Sequence, residues 1–285
     1  MSTRAAPRAR DYQARVNRNV ANNRDWYEGH RAHVTALVRA AARGGDLCVL
    51  GAGNGSDLDL PALAETYAAI HLVDIDGEAL ERCRDGAPAA LRARLVLHPG
   101  VDLSGFTDRL DEWGEAFPAE AELGRLALPA IHGVLQRLGR RFDVVASTCA
   151  LSQLAVPYHR AWILPPASWG HLHAAIAAVH LATIAGATVS GGADLLIFDV
   201  LSSKNAPELR ALDARGAPDD EVDAFVRAHV RAGGARLDPE PEALLARLRA
   251  PGMDRLVAAP RLTSPWLWNI GAETQLVYGL TFTRP

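Results

Sequence analysis

A chain of 285 residues, 49% apolar and 22% charged, has the composition of an ordinary globular protein, enough for one large α/β domain or two small ones, and disorder is expected only at the ends. The formal net charge of -3 gives no general attraction to nucleic acid or to an anionic membrane. Three scattered cysteines (Cys48, Cys83, Cys149) without a C-x-x-C pair argue against a zinc site or a disulfide framework and suit a reducing cytosol. No run approaches 18 apolar residues, so neither a transmembrane helix nor a secretory signal is expected.

Residues 1–43 hold nine arginines against Asp11, Asp25 and Glu28, a local excess of +6. Lys204 is the only lysine, so arginine use is global and a solvated helix face accounts for the excess better than an RNA contact. Residues 11–43 read as one or two helices with Trp26, His30, His33 and Leu37 on one face, a helical extension or lid stopped by Gly44-Gly45. A domain over residues 44–285 follows. Strand one at 46–50, a helix at 57–68, strand two at 69–74, a helix at 77–84 and strand three near 93–98 make a β-α-β-α-β unit.

Residues 104–141 expand the next crossover, with one helix from Asp108 to Phe117 and a kinked one from Ala119 to Leu138. Strand four is Phe142 to Ala146, and Trp169 to Ala185 crosses to strand five, Ala193 to Val200, with Gly191-Gly192 between them. Residues 205–250 read as an insertion of short helices. Arg255 to Leu262 reads as strand six, and Thr274 to Thr283 as an exposed-edge or antiparallel strand seven.

The most informative segment is Gly51-Ala52-Gly53-Asn54-Gly55, directly after Leu47-Cys48-Val49-Leu50. Glycines spaced G-x-G-x-G after a strand let the backbone turn sharply against a ligand, and Asp74, ending the next strand before Ile75, can accept both ribose hydroxyls. A dinucleotide site prefers a third glycine where this chain has Ser56, and Asp57 and Asp59 would face a diphosphate. A cationic ligand suits those carboxylates better.

By these residues, with His98-Pro99-Gly100-Val101-Asp102-Leu103 and Phe142-Asp143-Val144-Val145-Ala146-Ser147, the chain resembles the class I S-adenosylmethionine-dependent methyltransferases over residues 45–200, with a closing strand near 274–283. The resemblance implies a Rossmann-like three-layer sandwich with a seven-stranded, mostly parallel sheet and S-adenosylmethionine as cofactor. It also implies that Gly51 to Gly55 hold the methionine end, that Asp74 binds ribose, that Val101 and Asp102 flank adenine, and that Ser147 and Thr148, after strand four, border the cofactor. Where the family commonly has an acid two residues before the first glycine, this chain has Val49; Asp57 or Asp59 is the candidate replacement.

A small-molecule acceptor in specialised metabolism is the expected partner. If the acceptor needs a base, His159 and His171, with His173 behind them, are the candidates. Tyr158, Trp162 and Trp169, or Trp266 and Trp268, are candidates for an apolar acceptor wall. Cys149 reads as a packing residue, and no acidic ligand ends strand four, so no metal is expected. The rival readings are an RNA or protein methyltransferase, a nicotinamide-dependent oxidoreductase, and a catalytically silent binding subunit.

Overall fold

The computed structural model describes residues 5–109, 113, 117–161, 166–234 and 236–285. Five parallel strands, β1 (Leu47–Leu50), β2 (Ile70–Asp74), β3 (Leu95–Pro99), β4 (Phe142–Thr148) and β5 (Thr188–Ser202), form the sheet together with β6 (Ala258–Leu262), β7 (Trp266–Asn269) and β8 (Thr274–Thr283). The order is β3-β2-β1-β4-β5-β8-β6, with β7 also on β8. Strand order reverses between β1 and β4, which opens a crevice at their carboxyl ends.

The central strands are buried because both faces are covered, and β1 is apolar throughout. Alternation still divides them: Leu47 and Val49 join one buried cluster, and Cys48 and Leu50 the other. The first cluster packs under α2 (Glu28–Ala40), α3 (Leu60–Ala64), α4 (Gly77–Gly86) and α5 (Ala89–Arg92). The second lies beneath the helices Glu120–Leu138 and Pro166–Ala187 and the helical insertion at 208–248. Three layers result, as expected.

Several boundaries differ from the sequence reading. The N-terminal segment is α1 (Ala5–Val20), a 3-10 turn at Arg24–Tyr27, and α2, so it forms two helices. Gly191 and Gly192 lie inside β5, where the register with β4 shifts between Phe142 and Val144. A Cβ on Gly192 would stand 2.7 Å from the Asp143 carbonyl oxygen, so the pair permits a bulge and separates nothing. Pro129 is contained within one continuous helix, Glu120–Leu138. Most of the expected helix from Asp108 to Phe117 lies outside the described residues. Among the described residues one stretch, Ala167–Ala187, is long and apolar enough to cross a membrane by length and composition, and just over half of its apolar window is buried inside the protein, as in a core helix.

The sheet holds eight strands where seven were expected. Strand β8 is antiparallel, as read, but it lies within the sheet, between β5 and a broken outer strand made of β6 and β7. The break is at Thr263, whose N–H donates to the Gly279 carbonyl (2.8 Å) while its Oγ1 accepts from the Gly279 N–H (2.9 Å) and donates to the Ser264 carbonyl (2.9 Å). One hydroxyl therefore carries the ladder across the gap. Thr263→Val, which keeps shape and removes the hydroxyl, should cost about 1–3 kcal/mol in urea unfolding; an unchanged midpoint would show that Thr263 contributes nothing there.

Candidate active site

The crevice is built from β1 outward. Gly51, Gly53 and Gly55 have φ of 75, 47 and 67°, a region closed to most side chains. A Cβ on Gly51 would meet Ala150 Cβ at 2.5 Å, and one on Gly55 would meet Cys83 Sγ at 2.3 Å, so conformation and space both select glycine. The N–H groups of Gly51 and Ala52 converge on the Val73 carbonyl (2.9 and 3.1 Å), which pins the loop to the end of β2.

Asp74 completes the cradle. One carboxylate oxygen accepts the Gly53 N–H and the other the Asp76 N–H, each at 2.9 Å. Burial is the larger effect, and it pushes the Asp74 carboxyl up to about 6 in spite of these donors. The group is ionised at neutral pH, and each oxygen keeps acceptor capacity for a ligand hydroxyl.

Helix α1 roofs the crevice. Asn17 donates to Asp76 Oδ2 (3.0 Å) and offers its carbonyl to Asn54 Nδ2 (2.7 Å), and Gln13 reaches Gln153 beyond β4 (3.2 Å). Beneath it lies a cavity of about 290 Å³ walled by the glycine loop, Asp74, Ile75, Val101, Asp102, Leu103, Thr148, Cys149 and Gln153, and by Trp26, Tyr27, Trp268 and Ile270.

Asp57 also lines this cavity, its side chain 14% exposed. Its Oδ1 is buried and has no hydrogen bond; His30 Nε2 stands 3.6 Å away. Burial, opposed by the Thr148 hydroxyl and Arg31, pushes this carboxyl up to about 7. Around it, burial pushes His30 down to about 3 and raises the Cys149 thiol and the Tyr27 phenol, so all three are neutral at physiological pH. Asp59 has another task. It caps α3 by accepting the Ala62 N–H and does not reach the cavity.

Most of the residues read as cofactor contacts converge here: Gly51, Ala52, Gly53, Asn54, Asp57, Asp74, Ile75, Val101, Asp102 and Thr148 line the cavity. The Asp102 carboxylate is nevertheless occupied by Ser104 and by the Thr107 N–H, so it shapes the loop and leaves Val101 and Leu103 as the apolar wall. Gly55 packs on Cys83, and the fully buried Ser147 bonds to His180 (2.8 Å), so neither borders the cavity.

The expected bases and acceptor residues fare differently. His159 stacks on Trp169 and bonds to His173 (2.8 Å), and His171 faces Glu120 (3.4 Å); none of these histidines lines the cavity. Following strand four in sequence did not turn them toward it. Tyr158 is fully buried, bonded to the Ser104 hydroxyl, and is not an acceptor wall. Trp266 is likewise buried behind Trp268, which does reach the cavity, and Trp162 lies outside the described residues.

The sequence reading gave Gln13, Asn17 and His30 no role in the site. The i, i+4 amides on α1 were the available signal. Of the face proposed for α2, His30 is buried, whereas Trp26 and His33 are exposed. Among the described residues no group of three metal-ligating side chains occurs.

No family model matches the chain, and no curated protein matches it. Solved structures overlap it broadly but distantly. The N-methyltransferase NodS of Bradyrhizobium japonicum WM9, solved with S-adenosyl-L-homocysteine, is 10% identical over 91% of this chain and 88% of its own, with a TM-score of 0.42. A structure described for the conversion of a disulfide bond into a thioacetal group during echinomycin biosynthesis is 15% identical over 88% and 81%, at 0.43. The YcgJ protein of Bacillus subtilis is 13% identical over 89% and 99%, also at 0.43. Identities and scores this low leave the fold to be judged on the strand order, the glycine turn and the Asp74 cradle. The fold is Rossmann-like, with parallel strands in the order β3-β2-β1-β4-β5 and the antiparallel β8 beyond them.

Gly51→Ala should lower stability by about 1–3 kcal/mol, from the strained φ and the clash with Ala150. Chemical denaturation checks this; an unchanged stability would mean that the loop readily adopts another path.

Proposed function

We propose that this protein is an S-adenosylmethionine-dependent methyltransferase acting on a small molecule in specialised metabolism. The observation that carries the reading is the roofed cavity in which the glycine loop, Asp74 and Asp57 meet. The residues fit the cofactor: Asp74 would take the ribose hydroxyls, Val101 and Leu103 would flank adenine, and the loop, Asp57 and Thr148 would take the charged methionine end. A nicotinamide dinucleotide fits less well. Helix α3 has only five residues, its N-terminus is capped by Asp59, and Asp57 would oppose a diphosphate.

The donor supplies a methyl carbon already activated by its sulfonium. The chain has to align an acceptor and exclude water. Trp26, Tyr27, Trp268 and Ile270 form an apolar wall suited to that, and the amides of Gln13, Asn17 and Gln153 give it neutral polar points. Among the described residues no histidine lines the cavity, which suits an acceptor atom that holds no proton to be removed at neutral pH. Helix α1 closing over a cavity of about 290 Å³ favours a small acceptor over a polymer. Two of its arginines are engaged with acids, Arg10 with Asp108 and Arg18 with Glu78, in keeping with a solvated face and not an RNA surface. Three free, buried cysteines suit a cytoplasmic setting.

Calorimetry tests the assignment. S-adenosylmethionine and S-adenosylhomocysteine should bind and raise the melting temperature, NAD should not, and Asp74→Ala should weaken both by ~10-fold or more. Unchanged affinity in that variant, or stabilisation by NAD alone, would overturn it. Removing residues 1–20 should weaken binding as well, because the contacts of Asn17 and Gln13 with the loop and Gln153 are lost; full affinity without them would deny α1 its role as a roof.

A further inference from the structure

His30 belongs to no motif, yet it is the most constrained polar side chain near the cavity. It is 1% exposed on α2, stacked on Trp268 with ring centroids 4.3 Å apart. The indole Nε1–H of Trp266 points at His30 Nδ1 (3.2 Å). An indole can only donate, so Nδ1 must be the acceptor and the proton of the neutral imidazole resides on Nε2. That Nε2–H faces Asp57 Oδ1 at 3.6 Å and Cys149 Sγ at 3.7 Å. Asp57 Oδ1 has no hydrogen bond of its own, and the Thr148 hydroxyl also acts on this carboxyl.

We propose that His30, locked in its Nε2–H tautomer by Trp266, is a positioning residue that holds Asp57 as an anionic receptor for the α-ammonium group of the cofactor. The inference rests on the methyltransferase reading and adds to it which group recognises the amino acid end and what keeps that group in place. Asp57 Oδ1 makes no hydrogen bond in the protein interior and has only the His30 Nε2–H dipole 3.6 Å away, while the residue itself borders the cavity. Asp57 thereby takes the part of the acid that Val49 lacks.

A neutral donor dipole at this place holds an anion without neutralising it. A charged histidine would compete with the ligand's ammonium for the same carboxylate. The burial that keeps His30 neutral therefore preserves the negative charge for the ligand. The other groups facing Asp57 are Arg31 on α2, Tyr27 in the preceding turn, Thr148 and Cys149 after β4, and Asp199 on β5. Only Arg31 among them is cationic, and its guanidinium is engaged with the Ser56 carbonyl at 2.9 Å. Asp199 adds repulsion but is itself held by Ser152 (2.7 Å).

Two nucleosides isolate the effect: S-adenosylhomocysteine, which carries the ammonium, and 5′-methylthioadenosine, which keeps the adenosine and lacks the amino acid. Their affinities for the full chain are measured by calorimetry from pH 5.5 to 8.5. Because Asp74 titrates against both ligands, the ratio of the two affinities reports Asp57. That ratio should fall as the pH drops through about 7 in the wild type, because protonated Asp57 no longer attracts the ammonium. Asp57→Asn should reduce the ratio by ~10-fold or more at pH 8 and make it independent of pH. His30→Leu should move the midpoint up by about half to one pH unit, with the methylthioadenosine affinity unchanged.

His30→Gln, whose amide can accept from Trp266 and donate to Asp57, should restore the wild-type midpoint. Trp266→Phe, which releases the tautomer, should shift it in the same direction as His30→Leu, and it decides the matter if the leucine variant does not fold. A ratio indifferent to pH in the wild type, or one that Asp57→Asn leaves intact, overturns the proposal even if both nucleosides bind. Asp57→Asn that lowers turnover alone overturns it too, by assigning Asp57 to the acceptor. Failure of both nucleosides to bind the wild type overturns the methyltransferase reading itself.

Discussion

The site depends on one carboxylate shared between two turns. Asp74 ends β2, and by accepting from Gly53 and Asp76 it ties the loop after β1 to the loop after β2 across the parallel pair. An isolated buried carboxylate would be costly, and here two backbone donors offset part of that cost. The same two bonds fix the orientation in which its remaining acceptor capacity faces the cavity. Around this anchor the other features are consequences. The glycines bring the backbone close enough to donate, the strand reversal leaves space above them, and α1 seals that space through Asn17 and Asn54.

The cavity carries two kinds of acid. Asp74 stands with an apolar wall at Val101 and Leu103, and Asp102 is satisfied by its own loop. Asp57 stands against neutral His30, Tyr27 and Cys149. A ligand that brings both ring hydroxyls and a cationic group suits these two acids, and a diphosphate suits neither. Trp266 and Trp268, the latter bonded through its indole N–H to the Trp26 carbonyl, join β7 to the N-terminal segment and so close the cavity with elements far apart in sequence.

The cradle was legible in the sequence because it is a backbone requirement. Gly51, Gly53 and Gly55 are dictated by positive φ and close packing, and Asp74 by its place at a strand end, and both leave a mark in consecutive residues. The strands were legible for the same reason, apart from β7. Trp266 and Trp268 share a face of that short strand, and which of them meets the cavity is settled by their register on Val277 and Gln275 of β8, a pairing no local pattern encodes. The histidines misled because nearness to strand four in sequence does not fix direction. His159 and His173 turned to each other and to Trp169, whereas His30, over a hundred residues earlier, came to lie beside Cys149. The N-terminal segment reads as an extension or lid, but the residues that hold it down do not stand out: Gln13 and Asn17 look like any polar helix surface until the helix has a place to rest.

The central claim is that the space between Asp74, Asp57 and α1 receives an adenosylated amino acid. Amide hydrogen exchange with and without S-adenosylhomocysteine tests it most directly. The account predicts slowed exchange in residues 51–57, around residues 74–76 and along α1, with little change in β6 or in the helices at 208–248. Protection absent from the glycine loop and α1, or produced there by NAD and not by S-adenosylhomocysteine, would contradict it.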